Sequence, residues 1–436
     1  MGAFLGMRGT GSWVTDQRPK SYREGILWLY PNGTAPLTAI MSKLKSERVD
    51  DPEFNWWTKG LATQRAAITG VYTDAILSTA YTSGGVVGTV LYLKMSADGV
   101  SYFRVGHQVL LRDASDFTVD VNAKVVAKNV NGASSYIQVK LLEADDNSDH
   151  SHDLSDADVA LIVGNINAEG AVMPTGITND PVKIYNFTQI FRSPLSITRT
   201  ARKTRLRTGD AYKEMKREAL ENHGIEMEKA YLFGVRSEVT GDNGYPERTM
   251  DGIITIIRRD ANANVDDYSL NATYTGKDWT EAGGGEEWLN AYLEVLFRYG
   301  KGEKLALCGS GALLGLNKLA STGSYMQLQP ADRTYGININ RWQTPFGVIN
   351  ILTHPLFSIE ATLRYSMLII EPQNLIYKYI DDTDFYGEGE AKKSGPGVNA
   401  ARKDATDEEF LTESSLELHH PSCMGFLNGV GIDSAV

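Results

Sequence analysis

Any fold this chain adopts has to house one long helix, because the residues from Thr208 to Gly234 read TGDAYKEMKREALENHGIEMEKAYLFG. Asp210 stands where its side chain can accept from the first free backbone N–H groups, and the good helix formers Ala211, Glu214, Met215, Lys216, Arg217, Glu218, Ala219 and Leu220 follow. Gly234 supplies the stop. Ala211, Met215, Ala219, Ala230 and Phe233 form an apolar stripe, with Lys213, Arg217, Glu221 and Glu228 turned away from it. Such a helix is expected to lie across a sheet and not to sink into a core. At about 1.5 Å per residue it runs on the order of 35 Å, long enough to serve as a spine, with Gly224 as its weak point.

The chain changes character on either side of that helix. Residues 1–60 show few helix or strand periods but carry Trp13, Trp28, Tyr30, Phe54, Trp56 and Trp57. Large aromatics on an irregular segment need a surface, either the chain's own core or a neighbouring subunit. From Val71 to Gly164 the period becomes two: VVGTVLYLKM, RVGHQVLLRD, VDVNAKVVAKNV and SSYIQVKLLEAD alternate apolar and polar residues, and Asn131-Gly132 is a hairpin signal. A small, mostly antiparallel β subdomain follows from this. Its acidic edge, Glu143 to Asp158, holds seven carboxylates and reads as a solvated or partner-facing loop. KIYNFTQIFRSPLSITRTARKTRLR then runs extended into the helix. The eight basic residues between Arg199 and Arg217 face only Asp210 and Glu214, which suits nucleic acid or a neighbour's acidic loop; the plainer alternative is a solvated helix face with i,i+4 pairs.

Beyond the helix, MDGIITIIRR is predicted as a strand, EEWLNAYLEVLFRYG and GALLGLNKLAS as helices, and KLALCGS, FGVINILTH and YSMLIIEPQNLIYKYI as strands, so about Thr280 to Asp381 forms an α/β unit. Phe385 to Asp407 reads as loop, and SSLELHHPSCMGFLNGV as a returning strand. A chain of 436 residues exceeds one ordinary core and implies about two to four packed units. The net charge of −11 argues against a surface built as a whole for nucleic acid or anionic membrane. Cys308 and Cys423 are the two cysteines, far apart, which excludes a disulfide framework and a cysteine metal site and points to a reducing compartment. No apolar run reaches the 18 or so residues of a membrane span, no signal peptide opens the chain, and Gly6 stands where a myristoylation signal after Met1-Gly2 needs Ser or Thr.

Candidate chemistry is sparse. Gly309-Ser310-Gly311 follows a strand and opens a helix, as a dinucleotide-binding turn does, but the third glycine, Gly315, comes one residue late and no acidic strand end follows about 20 residues on. Ser310 lacks the flanking glycines of a nucleophile elbow, with Cys308 and Ala312 in their places. His150, His152 and Asp153, with Asp146 and Asp149, contain metal-ligating types on a segment without regular structure to hold them, and a mobile polar loop is the plainer reading. His419-His420 on a strand point to opposite faces. Asn32, Asn186 and Asn271 begin glycosylation sequons, which matter in a secreted protein. No catalytic, cofactor-binding or metal set emerges, and the chain reads as structural.

The order of segments resembles a known family. The aromatic-rich arm, the β extension, IYNFTQIFRSPLSITRTA, the helix ending EKAYLFG, MDGI, the strand–helix unit, TPFGVINILTHP and the closing ESSLELHHPSCMGFLNGV together resemble tailed-bacteriophage major capsid proteins, in the subgroup similar to the coat protein of phage SU-ten. The likeness runs from Asp51 through Gly429. It implies an α+β Hong Kong 97-type capsid fold: an N-terminal arm at 1–60, an extended E-loop with an inserted β subdomain at 61–191, a peripheral domain with the long helix as spine at 192–280, an α/β axial domain at 281–375, and a return to the peripheral domain at 376–436. It implies a non-enzymatic subunit without cofactors, assembled in the bacterial cytoplasm into pentamers and hexamers of an icosahedral shell. The implied partners are other copies, scaffolding, portal and cement or decoration proteins, and double-stranded DNA held without sequence preference; no membrane is involved. No long charged helix precedes the arm, so a separate scaffolding protein or a cleaved precursor is expected. Two alternatives remain at this point: an encapsulin-like bacterial shell, and an enzyme that binds a nucleotide at Gly309–Gly315.

Overall fold

The computed structural model describes residues 44–60, 64–113, 120–145, 154–178, 180–204, 210–322, 328–330, 339–386 and 405–434. The chain divides into two compact units, Trp57–Val182 and a second made of the flanking sequence. Each has its own core.

In the unit Trp57–Val182 the alternating runs become one antiparallel sheet of seven strands. Their order across the sheet is Arg65–Ala67, Val159–Asn165, His107–Arg112, Asp120–Asn129, Tyr136–Leu141, Val90–Lys94 and Gly70–Tyr72. Period two places Leu91, Leu93, Val109, Leu111, Ala123, Val125, Ile137 and Val139 on one fully buried face, which Val100, Phe103 and Leu154 cover. Asn131-Gly132 turns the chain between the strands Asp120–Asn129 and Tyr136–Leu141, with Gly132 at φ +50°, a conformation that favours glycine.

The flanking unit contains two principal sheets. The four-stranded sheet runs Ser46–Arg48, Leu375–Tyr386, Ala405–Leu418, Gln189–Thr198, and all pairs but the first are antiparallel. The seven-stranded mixed sheet runs Val265–Asp267, Gly425–Asn428, Met367–Ile370, Glu303–Cys308, Val348–Thr353, Ile339–Gln343, Leu328–Pro330. Both faces of this second sheet are buried, which is why LALC and MLII are unbroken apolar runs. Leu307, Leu352, Leu368, Ile370 and Phe426 face one core. Ala306, Cys308, Ile349, Ile351, Met367, Ile369 and Leu427 face another, shared with Trp279, Trp288 and the helices Gly285–Phe297 and Ser310–Thr322.

The long helix spans Ala211–Phe233, and Asp210 caps it by accepting from Tyr212 N at 3.0 Å. Two expectations about it need correction. Glu228 is completely buried, and Phe233, assigned to the apolar stripe, is 38% exposed. The first turns lie along the strands Gln189–Thr198 and Ala405–Leu418, but the last three are enclosed on more than one side, so His223, Met227, Glu228, Tyr231 and Leu232 are all buried. The helix lies on a sheet at its start and sinks into a core at its end.

MDGIITIIRR is also corrected: Ile253–Asp260 is a helix, not a strand. Four isoleucines favour strand by local preference, but their spacing, 253, 254, 256 and 257, gives one buried helical face and leaves Arg258 and Arg259 at the far end. Burial against the mixed sheet outweighs propensity, which spans only about 1 kcal/mol.

Of the arm's aromatics, Phe54 and Trp56 are buried on their own chain, stacked 6.0 Å apart, with Trp56 also 6.4 Å from the His419 ring. Trp57 is 64% exposed. Trp13, Trp28 and Tyr30 lie outside the described residues, as does most of the Phe385 to Asp407 segment; its ends, predicted as loop, are strand, since Leu375–Tyr386 and Ala405–Leu418 reach into it.

Candidate functional site

The densest polar constellation lies beneath the long helix. His223 Nδ1 is 2.9 Å from Ser193 Oγ and its Nε2 is 2.7 Å from Thr412 Oγ1, which donates onward to Thr383 at 2.8 Å. This chain of bonds places the proton on Nε2 and lets Nδ1 accept from Ser193. Burial holds the imidazole below its ordinary pKa, with Glu226 opposing, so the neutral ring is favoured. Two turns on, Tyr231 OH meets Ser414 Oγ at 2.8 Å. On another side of the helix, Glu228 Oε1 accepts from His354 Nε2 at 2.7 Å, both side chains fully buried. These groups bond chiefly to one another, although the buried Nδ1 of His354 has no hydrogen-bond partner among the described residues. They set the rotation and register of the helix on the sheet, since a one-residue slip would strand several buried polar groups at once.

Asn186 plays a similar part at a junction of three segments. Its Nδ2 donates to Leu416 O (2.9 Å) and Asp251 O (3.3 Å), and its Oδ1 accepts from Asp251 N and Phe187 N, both at 2.9 Å. It is completely buried, so its sequon is not a glycan site in the folded chain. Asn271 caps a short turn by accepting from Thr273 N. Asn32 lies outside the described residues.

The glycine turn at Gly309–Gly315 is closed by the protein itself. A side chain at Gly309 would run into Arg364 O, one at Gly311 would meet the Tyr365 ring at 2.7 Å, and one at Gly315 would meet Gly431 Cα at 2.5 Å. The N–H groups that a phosphate would use are occupied: Gly309 N donates to Ser366 O, Ser310 N to Ser358 Oγ and Ala312 N to Arg364 O. These glycines permit close packing against the segment 363–366 and the chain's end. The nucleotide-binding alternative is withdrawn on this ground.

The charged stretches are more engaged than their sequence implied. Arg217 pairs with Glu221 at i,i+4, Lys216 Nζ sits 3.3 Å from the Phe385 ring centre, and Arg202 stacks on Tyr212. Arg205 and Arg207 lie outside the described residues. Within 143–158, Asp145 is buried and accepts from Tyr81 OH at 2.6 Å, so that carboxylate belongs to the core and not to a solvated loop. Asp146, Asp149, His150, His152 and Asp153 lie outside the described residues; no group of three metal-ligating side chains occurs among the described ones. His419 lies against Glu417, and His420 adopts φ +49°.

Sequence reasoning missed His223, Glu228, His354 and Asn186. A signal for the first existed: Met215 and Ala219 continue at steps of four through His223, Met227 and Tyr231. The other three depend on partners more than 60 residues away.

Polar side chains sealed inside and bonded to one another, and a glycine turn packed shut by its own chain, are the features of a structural subunit. The chain belongs to the SU10 major capsid protein family, whose pattern matches residues 7–431. It is a tailed-phage major capsid protein, a non-enzymatic component of the icosahedral virion shell. Membership of that family also sets aside the encapsulin-like alternative. The chain is 22% identical over 440 residues to the major capsid protein of Pseudomonas phage PaMx41, covering 99% of this chain and 97% of that one. Among solved structures it is similar to Microbacterium phage Oxtober96 (11% identity, 94% and 95% of the two chains, TM-score 0.41) and Mycobacterium phage Bobi (8%, 94% and 95%, TM-score 0.42).

Proposed function

We propose that this capsid protein is a Hong Kong 97-type subunit whose parts divide the labour of shell building. In this reading 1–60 is an arm, 61–191 an E-loop carrying the β subdomain, 192–280 and 376–436 a peripheral domain with Ala211–Phe233 as its spine, and 281–375 an axial domain at the capsomer centre. Pentamers and hexamers close around double-stranded DNA, touched weakly and without sequence preference, as suits an acidic chain. Scaffolding, portal and cement proteins are the further partners.

One observation carries the reading. The hairpin of Ser237–Thr240 with Pro246–Thr249 is exposed at every residue but Arg248, with Val239 55% and Tyr245 71% exposed. A lone two-stranded hairpin is marginal in water, so this one gains its stability from cover that a single copy does not provide. Permanent contacts of about 2,000 Å² or more, repeated around a shell, supply such cover. Deleting residues 1–50 is expected to abolish closed particles in negative-stain electron microscopy while leaving soluble capsomers. Normal particles from the truncated chain would refute the assignment of the arm.

A further inference from the structure

The unit Trp57–Val182 is electrically lopsided along its strands. At one end a cleft of about 520 Å³ is lined by Arg104, Lys124 and Lys128 with Val105, Met173 and Ile177, and no carboxylate is among its described lining residues. Uncharged acceptors hold two of these cations: Arg104 donates to Thr175 O (3.2 Å) and His107 Nε2 (3.0 Å), and Lys128 to Phe103 O (2.8 Å). Among the described residues no carboxylate pairs with either cation. Burial, then Arg104 and Lys128, push the His107 pKa down, as a positive field requires.

The other end is acidic. Asp113, Asp120, Glu143, Asp145, Asp156 and Asp158 gather there against Arg112, which is bound by two 2.6 Å bonds to Asp120. Glu143 and Asp156 are exposed, and Leu142 beside Glu143 is 38% exposed. Strand register fixes the separation: His107 lies opposite Asn165 at the cleft end, and Arg112 lies opposite Val159 and Asp120 at the acidic end. That is roughly 17 Å of strand, and a hydrogen-bonded sheet cannot fold back on itself to bring its two ends together. Within one copy Arg104 and Lys128 stay at the cleft end, whereas Lys124 is nearer the acids, two residues along the strand from Asn122, whose backbone N–H and side-chain amide donate to Glu143.

We propose that the cleft receives the acidic end of the same unit from a neighbouring copy, with Glu143 and Asp156 beside Lys124 and Lys128, and Leu142 against Val105, Met173 and Ile177. The contact is head-to-tail, so it repeats from subunit to subunit, and it rests on the shell reading above. It replaces the basic stretch 199–217 as the acceptor of the acidic segment, because Arg202, Lys216 and Arg217 of that stretch have partners in their own chain. Each ion pair contributes little and is screened by salt; repetition and the apolar contact give the surface its effect.

The test uses the full chain with Lys124→Glu/Lys128→Glu, with Glu143→Lys/Asp156→Lys, and with all four changes. The readout is the protein concentration at which half the chain sediments as particles, at low and high salt, with thermal melts to verify folding. Each double variant is expected to raise that concentration about tenfold at low salt, and the fourfold variant to return within about threefold of the original chain. Folded double variants that assemble normally, or a fourfold variant no better than either pair, would overturn the contact alone. A lysine variant that assembles normally but retains less DNA would assign the cleft to nucleic acid and overturn it too. If the unaltered chain forms no closed particles, the shell reading falls and the contact with it.

Discussion

Replacing Asn186 by alanine tests whether one buried amide joins three distant parts of the fold. The backbone ladder between Gln189–Thr198 and Ala405–Leu418 stops at the pair Gln189 and Ser414. Two residues further, Leu416 O is met by the Asn186 side chain, which also clasps Asp251 through both N–H and C=O. Asn186→Ala removes these three bonds and the local one to Phe187 N, and leaves buried backbone groups without partners. At about 1 kcal/mol net per bond, and more for each group left unsatisfied, the loss is about 3–4 kcal/mol. That lowers the ratio of folded to unfolded subunit by a factor of about 150 or more. Urea unfolding of unassembled subunits, followed by tryptophan fluorescence, should show a lower midpoint with an unchanged slope. Asn186→Asp keeps the acceptor but loses the donor, and its buried carboxylate should make it less destabilised at pH 4 than at pH 7. A loss below about 1 kcal/mol for the alanine variant would mean that water or backbone rearrangement replaces the amide, and the junction would have to be explained otherwise.

Three further outcomes follow from the same geometry. His354→Ala leaves Glu228 buried without this partner and should cost about 3–5 kcal/mol, measurable by chemical denaturation, whereas Glu228→Gln should cost less because the amide can still bond to the ring. Gly315→Ala forces a methyl group against Gly431 and should destabilise by about 1–3 kcal/mol in calorimetry, without any nucleotide changing the melting temperature of either protein. Hydrogen bonds from Lys378, then Lys45, hold Glu47 down at about pKa 2. Because the folded value lies below the unfolded one, this contribution is complete above about pH 4.5 and is lost as pH falls through 2; Glu47→Gln should flatten stability across that window in acid titrations.

Much of the fold was legible because it rests on residues near one another in sequence. The Asp210 cap, the helix formers behind it and the period-two runs from Val90 to Leu141 need no distant partner to declare themselves, and the structure has the helix at Ala211–Phe233 and the strands in those runs. What failed was decided from afar. The isoleucines of MDGIITIIRR satisfy strand preference locally, and become a helix because one helical face can be buried against the mixed sheet. Glu228 looks like a solvent-facing charge until His354, 126 positions away, arrives to bond it. The glycines of 309–315 resemble a phosphate turn until the segment 363–366 fills the space a ligand would need.

The sequence alone therefore determined where helices and strands can start, stop and present apolar faces, and through its family likeness the kind of particle the chain builds. Tertiary structure decided which polar groups are sealed inside, which glycines are for packing, and that acid and base gather at opposite ends of one sheet. The reason is range: a cap or an alternating strand is settled within a few residues, whereas desolvation and hydrogen-bond partnership depend on whatever the rest of the chain brings alongside.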